Sequence, residues 1–328
     1  MTTAMAVPKL LTLVAAAVFA AALSSHAAAQ SYPAKPVRLI IAYAAGGGTD
    51  TVGRVFAQKL SDGFGRQVIV DNRPGANGNI ATELAVKSPP DGYTLLMGNI
   101  GPIAVNPHLY KLAFDPQRDL APVSLIALAP LLVVVHPSLP VAALKDLVAL
   151  ARRQPGALSY SSAGVGSSNH LAGALFNIEA GTDIAHIPYK GAAPALVDLM
   201  AGNVQVSFQT LPSVGGNVRS KRLKALAVTS VKRSSAYPAV PTAAESGLRG
   251  FEVSAWYSIM APAGTPAPIV ERVRDELAKA LKQREVLERL SAEGAEPVGS
   301  TPQEFAEFIR TETSKWGRVV RVSGMKAD

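Results

Sequence analysis

Two rhythms of apolar and polar positions alternate along this chain. Residues 37–41 are a short β-branched apolar run. Downstream, Val52, Val55, Phe56 and Leu60 fall on the three-and-four spacing of a helix face. Between them stands Tyr43-Ala-Ala-Gly-Gly-Gly-Thr-Asp50, so the order is strand, glycine turn, helix. The alternation repeats with a strand at 67–71, a polar turn at 72–79 and a helix at about 80–87. After the turn Pro89-Pro90-Asp91-Gly92 comes a strand at 93–97, then a loop of small residues at 98–102.

The second half restarts the pattern. A continuous apolar strand at 131–135 is followed by a helix at 141–153 and a short strand at 158–161. A serine- and glycine-rich loop at 161–170 then opens an apolar helix at 171–180. A strand at 184–188 precedes a helix that runs through Met200. Strands at 204–208 and 223–229 follow, with Gln209 at the carboxyl end of the first. Residues 251–260 cross back to the first half, and residues 269–290 are predicted as one helix with Ile269, Val270, Val273, Leu277 and Leu281 on its apolar stripe. Thr301-Pro302-Gln303-Glu304 is a capping box that opens a last helix carrying Phe305, Phe308 and Ile309. Strands alternating with helices predict an α/β fold, a parallel sheet with helices on both faces. In such sheets ligands sit at the carboxyl ends of the strands, where these glycine and serine loops gather.

The first 29 residues change the picture of where the protein works. Lys9, the apolar run 10–23 and Ala27-Ala28-Ala29 have the order of a secretory signal, with cleavage near Ala29 leaving Gln30 first. The run is shorter than the ~20 apolar residues of a spanning helix. Removing 29 of the 328 residues leaves 299, enough for two domains on a prior of roughly 150 residues each. The chain has no cysteine, which excludes disulfides, thiol catalysis and thiolate metal sites. The net charge is +8, but basic residues are scattered among acids, as in 272–282, without a basic run carrying aromatics. That argues against nucleic acid as a partner.

Candidate chemistry is sparse. The glycine turn lacks the last glycine of a dinucleotide fingerprint and the lysine and hydroxyl of a phosphate loop. A helix start after such a turn suits a small anion, with Thr49 or Asp50 as cap. A plain βα turn with no ligand fits the same residues. Ser167 and His170 stand three apart at a helix start and raise an alternative, an exported serine hydrolase. They lack a Gly-x-Ser-x-Gly elbow and an acid to orient the histidine. No histidine pairs with another at a metal spacing, so neither metal nor cofactor is expected. Trp256, Asp198, Arg73 and Lys190 are each as compatible with core or solvated positions as with a ligand. What recurs in both halves is equipment for holding a small anion between two domains.

Seven stretches, in order, carry a resemblance. They are 43–50, 72–79, Pro90-Asp91-Gly92-Tyr93-Thr94-Leu95, 161–170, Ile187-Pro188-Tyr189-Lys190-Gly191, 225–230 and Ala261-Pro262-Ala263-Gly264-Thr265-Pro266. Through them the chain resembles the Bug receptors, the periplasmic solute-binding components of tripartite tricarboxylate transporters. The resemblance implies a type II periplasmic binding fold, two Rossmann-like lobes with a ligand cleft between them that close about a hinge. It implies one lobe from residues 30–128 plus 254–328 and another from 129–253. First-lobe ligand contacts would be Tyr43, Gly47, Gly48 and Asp50, with Asn77, Gly78 and Asn99. Second-lobe contacts would be Ser162, Ser167, Ser168 and His170, with Tyr189 and Gln209 lining the far end. Asn77 and Ala193 stand where the family more often has glycine, and Ala42 where proline is frequent. Gln209 occupies a variable position. The implied protein is a non-enzymatic, monomeric, periplasmic receptor for a small carboxylate: a di- or tricarboxylate, an acidic amino acid or an aromatic carboxylate. Its partners would be membrane transport subunits or a sensor protein.

Overall fold

A computed structural model describes residues 32–46, 48–189, 191–292 and 294–327. The first strand, β1 (Val37–Ile41), is buried at every position but Arg38, because helices cover both faces of the sheet it starts. Helix α1 (Gly48–Phe64) returns the chain to β2 (Val68–Asn72), and α2 (Asn79–Val86) leads to β3 (Thr94–Gly98). All three strands run parallel, with Leu39 opposite Val70 on one side and Leu95 on the other. Val52, Phe56 and Leu60 of α1 are the buried stripe that the spacing predicts. Gly53 permits this packing, since a Cβ there would lie 2.5 Å from Ile41 Cδ1.

A π-helical turn (Gly101–Val105) and two short helices lead into β4 (Leu120–Val135), sixteen residues long. Sequence periodicity finds only its last five residues. Pro122, Ser124 and Pro130 interrupt the apolar run, and two register shifts bulge the strand against its neighbour. The chain continues through α3 (Leu144–Arg153), β5 (Ser159–Ser162), α4 (Ser168–Ala180), β6 (Ala185–Pro188), α5 (Ala192–Ala201), β7 (Val206–Thr210), α6 (Leu211–Arg219) and β8 (Lys224–Val228). It returns through β9 (Ser254–Pro262). The expected long helix at 269–290 is two helices, α7 (Ala267–Ala280) and α8 (Arg284–Ala292), separated by a turn at 281–283. A two-residue strand, β10 (Glu296–Pro297), precedes α9 (Pro302–Ser323). The capping box that opens α9 forms, with Thr301 N–H donating to Glu304 Oε2 (2.8 Å) and Glu304 N–H to Thr301 Oγ1 (3.2 Å).

The strand order is β2-β1-β3-β9-β4-β7-β5-β6, with β8 and β10 also on β4. The sheet changes partners along β4. Leu120 to Pro130 pair with β9, whereas Leu131 to Val135 pair with β7 on one edge and β8 on the other. One strand therefore belongs to both lobes of a mixed, curled α/β sheet. Where β4 leaves β9, Thr229 takes over. Its backbone N–H donates to Leu131 O (2.9 Å), and Val253 N–H donates to Thr229 O (3.2 Å). Its fully buried hydroxyl accepts from Leu131 N (2.8 Å) and donates to Val253 O (2.5 Å). The two segments that pass between the lobes are thus tied through one side chain. On the opposite side α9 packs against β4, the π turn and α4, and Arg318 reaches Glu179 of α4 at 3.1 Å.

Replacing Thr229 by valine keeps the shape but leaves buried polar partners at Leu131 and Val253 without the hydroxyl. The expected loss is about 1–3 kcal/mol of stability. Denaturant unfolding of the variant checks this, and an unchanged midpoint would remove Thr229 from the account of the crossing.

Candidate functional site

The loop that leaves β1 is held in shape by Asp50, in the first turn of α1. Its buried carboxylate accepts from Gly46 N–H (2.9 Å), Arg54 Nε (2.9 Å) and Asn72 Nδ2 (2.9 Å). Burial alone would raise its pKa, but these hydrogen bonds and the Arg54 charge outweigh that and hold it below the usual carboxylate range. The charge is spent inside the loop. Gly48 and Thr49, in the same helical turn, face the space between the lobes.

Tyr43 stands beside them, with its hydroxyl 3.3 Å from Asn99 Oδ1 and 3.5 Å from Asn77 Oδ1. Burial pushes its phenol up to about 12. Asn77 has φ 48°, in the left-handed region, between Gly75 and Gly78, which are also at positive φ. Asparagine tolerates that conformation better than most residues, so it can stand at a position that otherwise favours glycine. Buried Asn106 secures the turn by donating to Asn77 O (3.0 Å) and accepting from Asn77 Nδ2 (3.0 Å). No motif marks Asn106 in the sequence. Its importance lies in a contact across 29 residues.

From the other lobe, α4 presents its N-terminus. Ser167 is the cap, and its hydroxyl accepts from His170 N–H (3.3 Å) and donates to Gly164 O (2.7 Å). Ser168 and Asn169 follow it into the cleft wall. The starts of α5, at Gly191 and Ala192, and of α6, at Thr210 and Ser213, border the same space. Helix α6 is absent from the periodicity, although Thr210 before Leu-Pro is a helix-start signal. Gln209 is buried, donating Nε2 to Ser207 Oγ (2.9 Å) and accepting from Asn169 Nδ2 (3.4 Å). Ala255, Trp256 and Tyr257 of β9 form the floor.

The cavity between the lobes, open to solvent on one side, measures about 370 Å3. Four helices of nine residues or more direct their N-termini at it, each with first-turn N–H groups that have no partner within the helix and with the positive end of a dipole. Among the described lining residues there is no Lys, Arg, Asp or Glu. The described lining suits negative charge through N–H groups and helix dipoles, without a formal countercharge among those residues.

Of the residues expected at a site, Tyr43, Gly48, Asn77, Asn99, Ser167, Ser168 and Gln209 line this cavity. Gly47 lies outside the described residues, as do Lys190 and the leader. Gly78 packs behind the wall, against Pro102 and Ala42. Asp50 faces into its own loop. Tyr189 donates to Asp198 Oδ2 (2.6 Å), and Arg73 pairs with Asp71 (2.9 Å). Ser162 Oγ is 2.7 Å from His186 Nε2. The His170 ring stacks on His186 at 3.7 Å and 8°, and its Nδ1 accepts from Gly166 N–H (3.2 Å). Burial, then the neighbouring His186, lowers its pKa to about 3. These two histidines border a separate cavity of about 420 Å3 behind the serine loop. The hydrolase alternative finds no support here. Ser167 Oγ caps its own helix and the His170 imidazole is turned to His186, so nucleophile and base do not meet.

Two lobes sharing strands, with a cleft between them whose described lining carries no formal charge, define a solute-binding protein of the type II periplasmic kind. A family model described as "Tripartite tricarboxylate transporter family receptor" matches residues 52–325, and the chain belongs to that family. It is 38% identical to protein BugT of Bordetella pertussis over 97% of this chain and 98% of that one. The structure of R. palustris Rpa4515 with adipate superposes with a TM-score of 0.81 at 36% identity, covering 90% of this chain and 99% of that one. MatC from Rhodopseudomonas palustris with bound malate gives 0.77 at 32%, covering 88% and 100%. Among the described residues no helix is long and apolar enough to cross a membrane.

Asp50 has a folded pKa below its unfolded one, so its contribution is present above the unfolded value and is lost as pH falls through the folded one. Between about pH 5 and pH 2 the native chain should lose more stability than Asp50→Asn does. Chemical unfolding at both pH values checks this; equal losses would mean that Asp50 does not hold the loop through its charge.

Proposed function

We propose that this protein is an exported periplasmic receptor that captures a small carboxylate between its lobes and presents the closed form to a membrane transporter of the tripartite tricarboxylate type or to a signalling partner. The observation that carries this is the convergence of four helix N-termini on a cavity whose described lining has no ionised side chain. Partial positive charge from N–H groups suits a carboxylate and leaves no cation for it to replace. That relatives of this family are described with adipate and with malate supports the same class of ligand.

In this reading Tyr43, Gly47, Gly48, Thr49, Asn77 and Asn99 hold the solute from one lobe, and Ser167, Ser168 and Gln209 from the other. Asp50, Gly78, Ser162, His170 and Tyr189 act behind them, shaping the loops. The lobes are residues 30–128 with 254–328, and 129–253, and they move about the crossing that Thr229 ties. The leader is removed near Ala29, and the mature protein acts as a monomer that binds without turnover.

The test is a thermal-shift screen of the mature protein with mono-, di- and tricarboxylates, preceded by native mass spectrometry for a co-purified ligand. A carboxylate at 100 times its dissociation constant should add about 2.7 kcal/mol of stability. Ser167→Ala should weaken that ligand by roughly tenfold, the worth of a loosened cap and one hydrogen bond. No bound mass, and no shift with any carboxylate, would overturn the carboxylate reading.

A further inference from the structure

One side chain spans the gap between the lobes. Asn77, in the turn after β2, and Gly166, in the loop after β5, both border the interlobe cavity. Strands β2 and β5 lie on opposite sides of β4 in the strand order. Yet a Cβ at Gly166 would stand 2.8 Å from Asn77 Nδ2, 3.2 Å from Leu109 Cδ1 and 3.6 Å from Asn106 Oδ1. Gly166 has φ 74°, in the left-handed region, so its backbone and its surroundings both demand a bare Cα. A second glycine meets the same carboxamide from its own lobe. A Cβ at Gly101 would lie 3.2 Å from Asn77 Nδ2 and 3.3 Å from Asn77 Oδ1. The Asn77 side chain therefore fills a slot between two glycines, one from each lobe.

Both sides of the slot are fixed from behind. Asn77 Nδ2 donates to Asn106 Oδ1 at 3.0 Å. Asn106 Nδ2 in turn donates to Asn77 O at 3.0 Å and to Asn79 Oδ1 at 2.6 Å. On the facing loop, Gly166 N–H donates to His170 Nδ1 at 3.2 Å, and that imidazole is stacked on His186. The next residue, Ser167, caps α4. A wall made of groups held in this way cannot yield to a larger solute without breaking hydrogen bonds on one lobe or the other. Close-packed surfaces of this kind register a change of a single methylene.

Resting on the carboxylate reading above, we propose that Asn77 is a specificity-determining residue: its carboxamide, seated on Gly166 across the cleft, walls the cavity and sets the largest carboxylate that fits between the lobes. Asn77→Gly empties the slot and extends the cavity into it. Glycine adopts the φ of 48° found there without strain, and Asn106 keeps its bonds to the residue-77 carbonyl and to Asn79, so the turn survives the change.

Calorimetry on the mature chain with straight-chain mono- and dicarboxylates of increasing length tests this. Affinity for the native chain should pass through an optimum length and then fall by about tenfold for the first member that is too long. Asn77→Gly should move the optimum to a longer chain, that member gaining at least about tenfold relative to the native optimum. Gly166→Ala should weaken the preferred carboxylate about tenfold in the native background but only about threefold on Asn77→Gly, where the atom nearest the new methyl is gone. Backbone strain at φ 74° is the same in both backgrounds and does not produce that difference. If Gly166→Ala does not fold, the length series on Asn77→Gly decides alone. An unchanged length ranking in Asn77→Gly overturns the proposal and leaves the carboxylate reading standing. Equal losses from Gly166→Ala in both backgrounds overturn it too, because the contact across the cleft then carries no energy. Failure of every carboxylate to bind the native chain overturns the broader reading, and this one with it.

Discussion

A strand that serves two sheets constrains everything else in this molecule. Residues Leu120 to Val135 are paired to β9 for most of their length and to β7 and β8 for the rest. Backbone groups at the changeover have no regular ladder to join, and buried peptide groups must be satisfied. Thr229 meets that need from the side, with a hydroxyl that both accepts and donates. The result is a crossing closed to water, with Leu131, Thr229 and Val253 all fully buried. The loops at the carboxyl ends of both sets of strands then face each other across it, and the cleft follows from the topology.

The electrostatics of the cleft follow from the same layout. In parallel βα units every helix starts where a strand ends, so helix N-termini accumulate on the side where the loops meet. Here α1, α4, α5 and α6 all begin at one cavity. The formal charges near it are neutralised locally, as with Asp50 and Arg54. Selectivity for a negative solute thus comes from backbone groups that are fixed before the solute arrives, with little reorganisation on binding.

How far the sequence discloses this depends on the range of the interactions. The strand–turn–helix at 37–60, the serine loop before α4 and the capping box of α9 are local, and each is legible from neighbouring residues. The first eleven residues of β4 are not, because proline, serine and bulges break the alternation that marks a strand. Nor is the break between α7 and α8, where the apolar stripe continues across a turn. At the site, residue types name the loops but not the facing of side chains. Ser162 and His170 belong to the expected loop, yet a stacked partner, His186, draws both away from the cleft. Asn106 could not be found at all, since its value depends on the left-handed turn at Asn77 that it supports.

Among the described residues the cleft lining carries no carboxylate, histidine, lysine or arginine, and burial raises the pKa of the Tyr43 phenol, so these residues bring no charge that changes across about pH 5 to 9. As far as these residues are concerned, a change in occupancy with acidity over that span belongs to the solute. For a carboxylate solute, a compartment that acidifies then acts on occupancy by converting the ligand from one charge state to another.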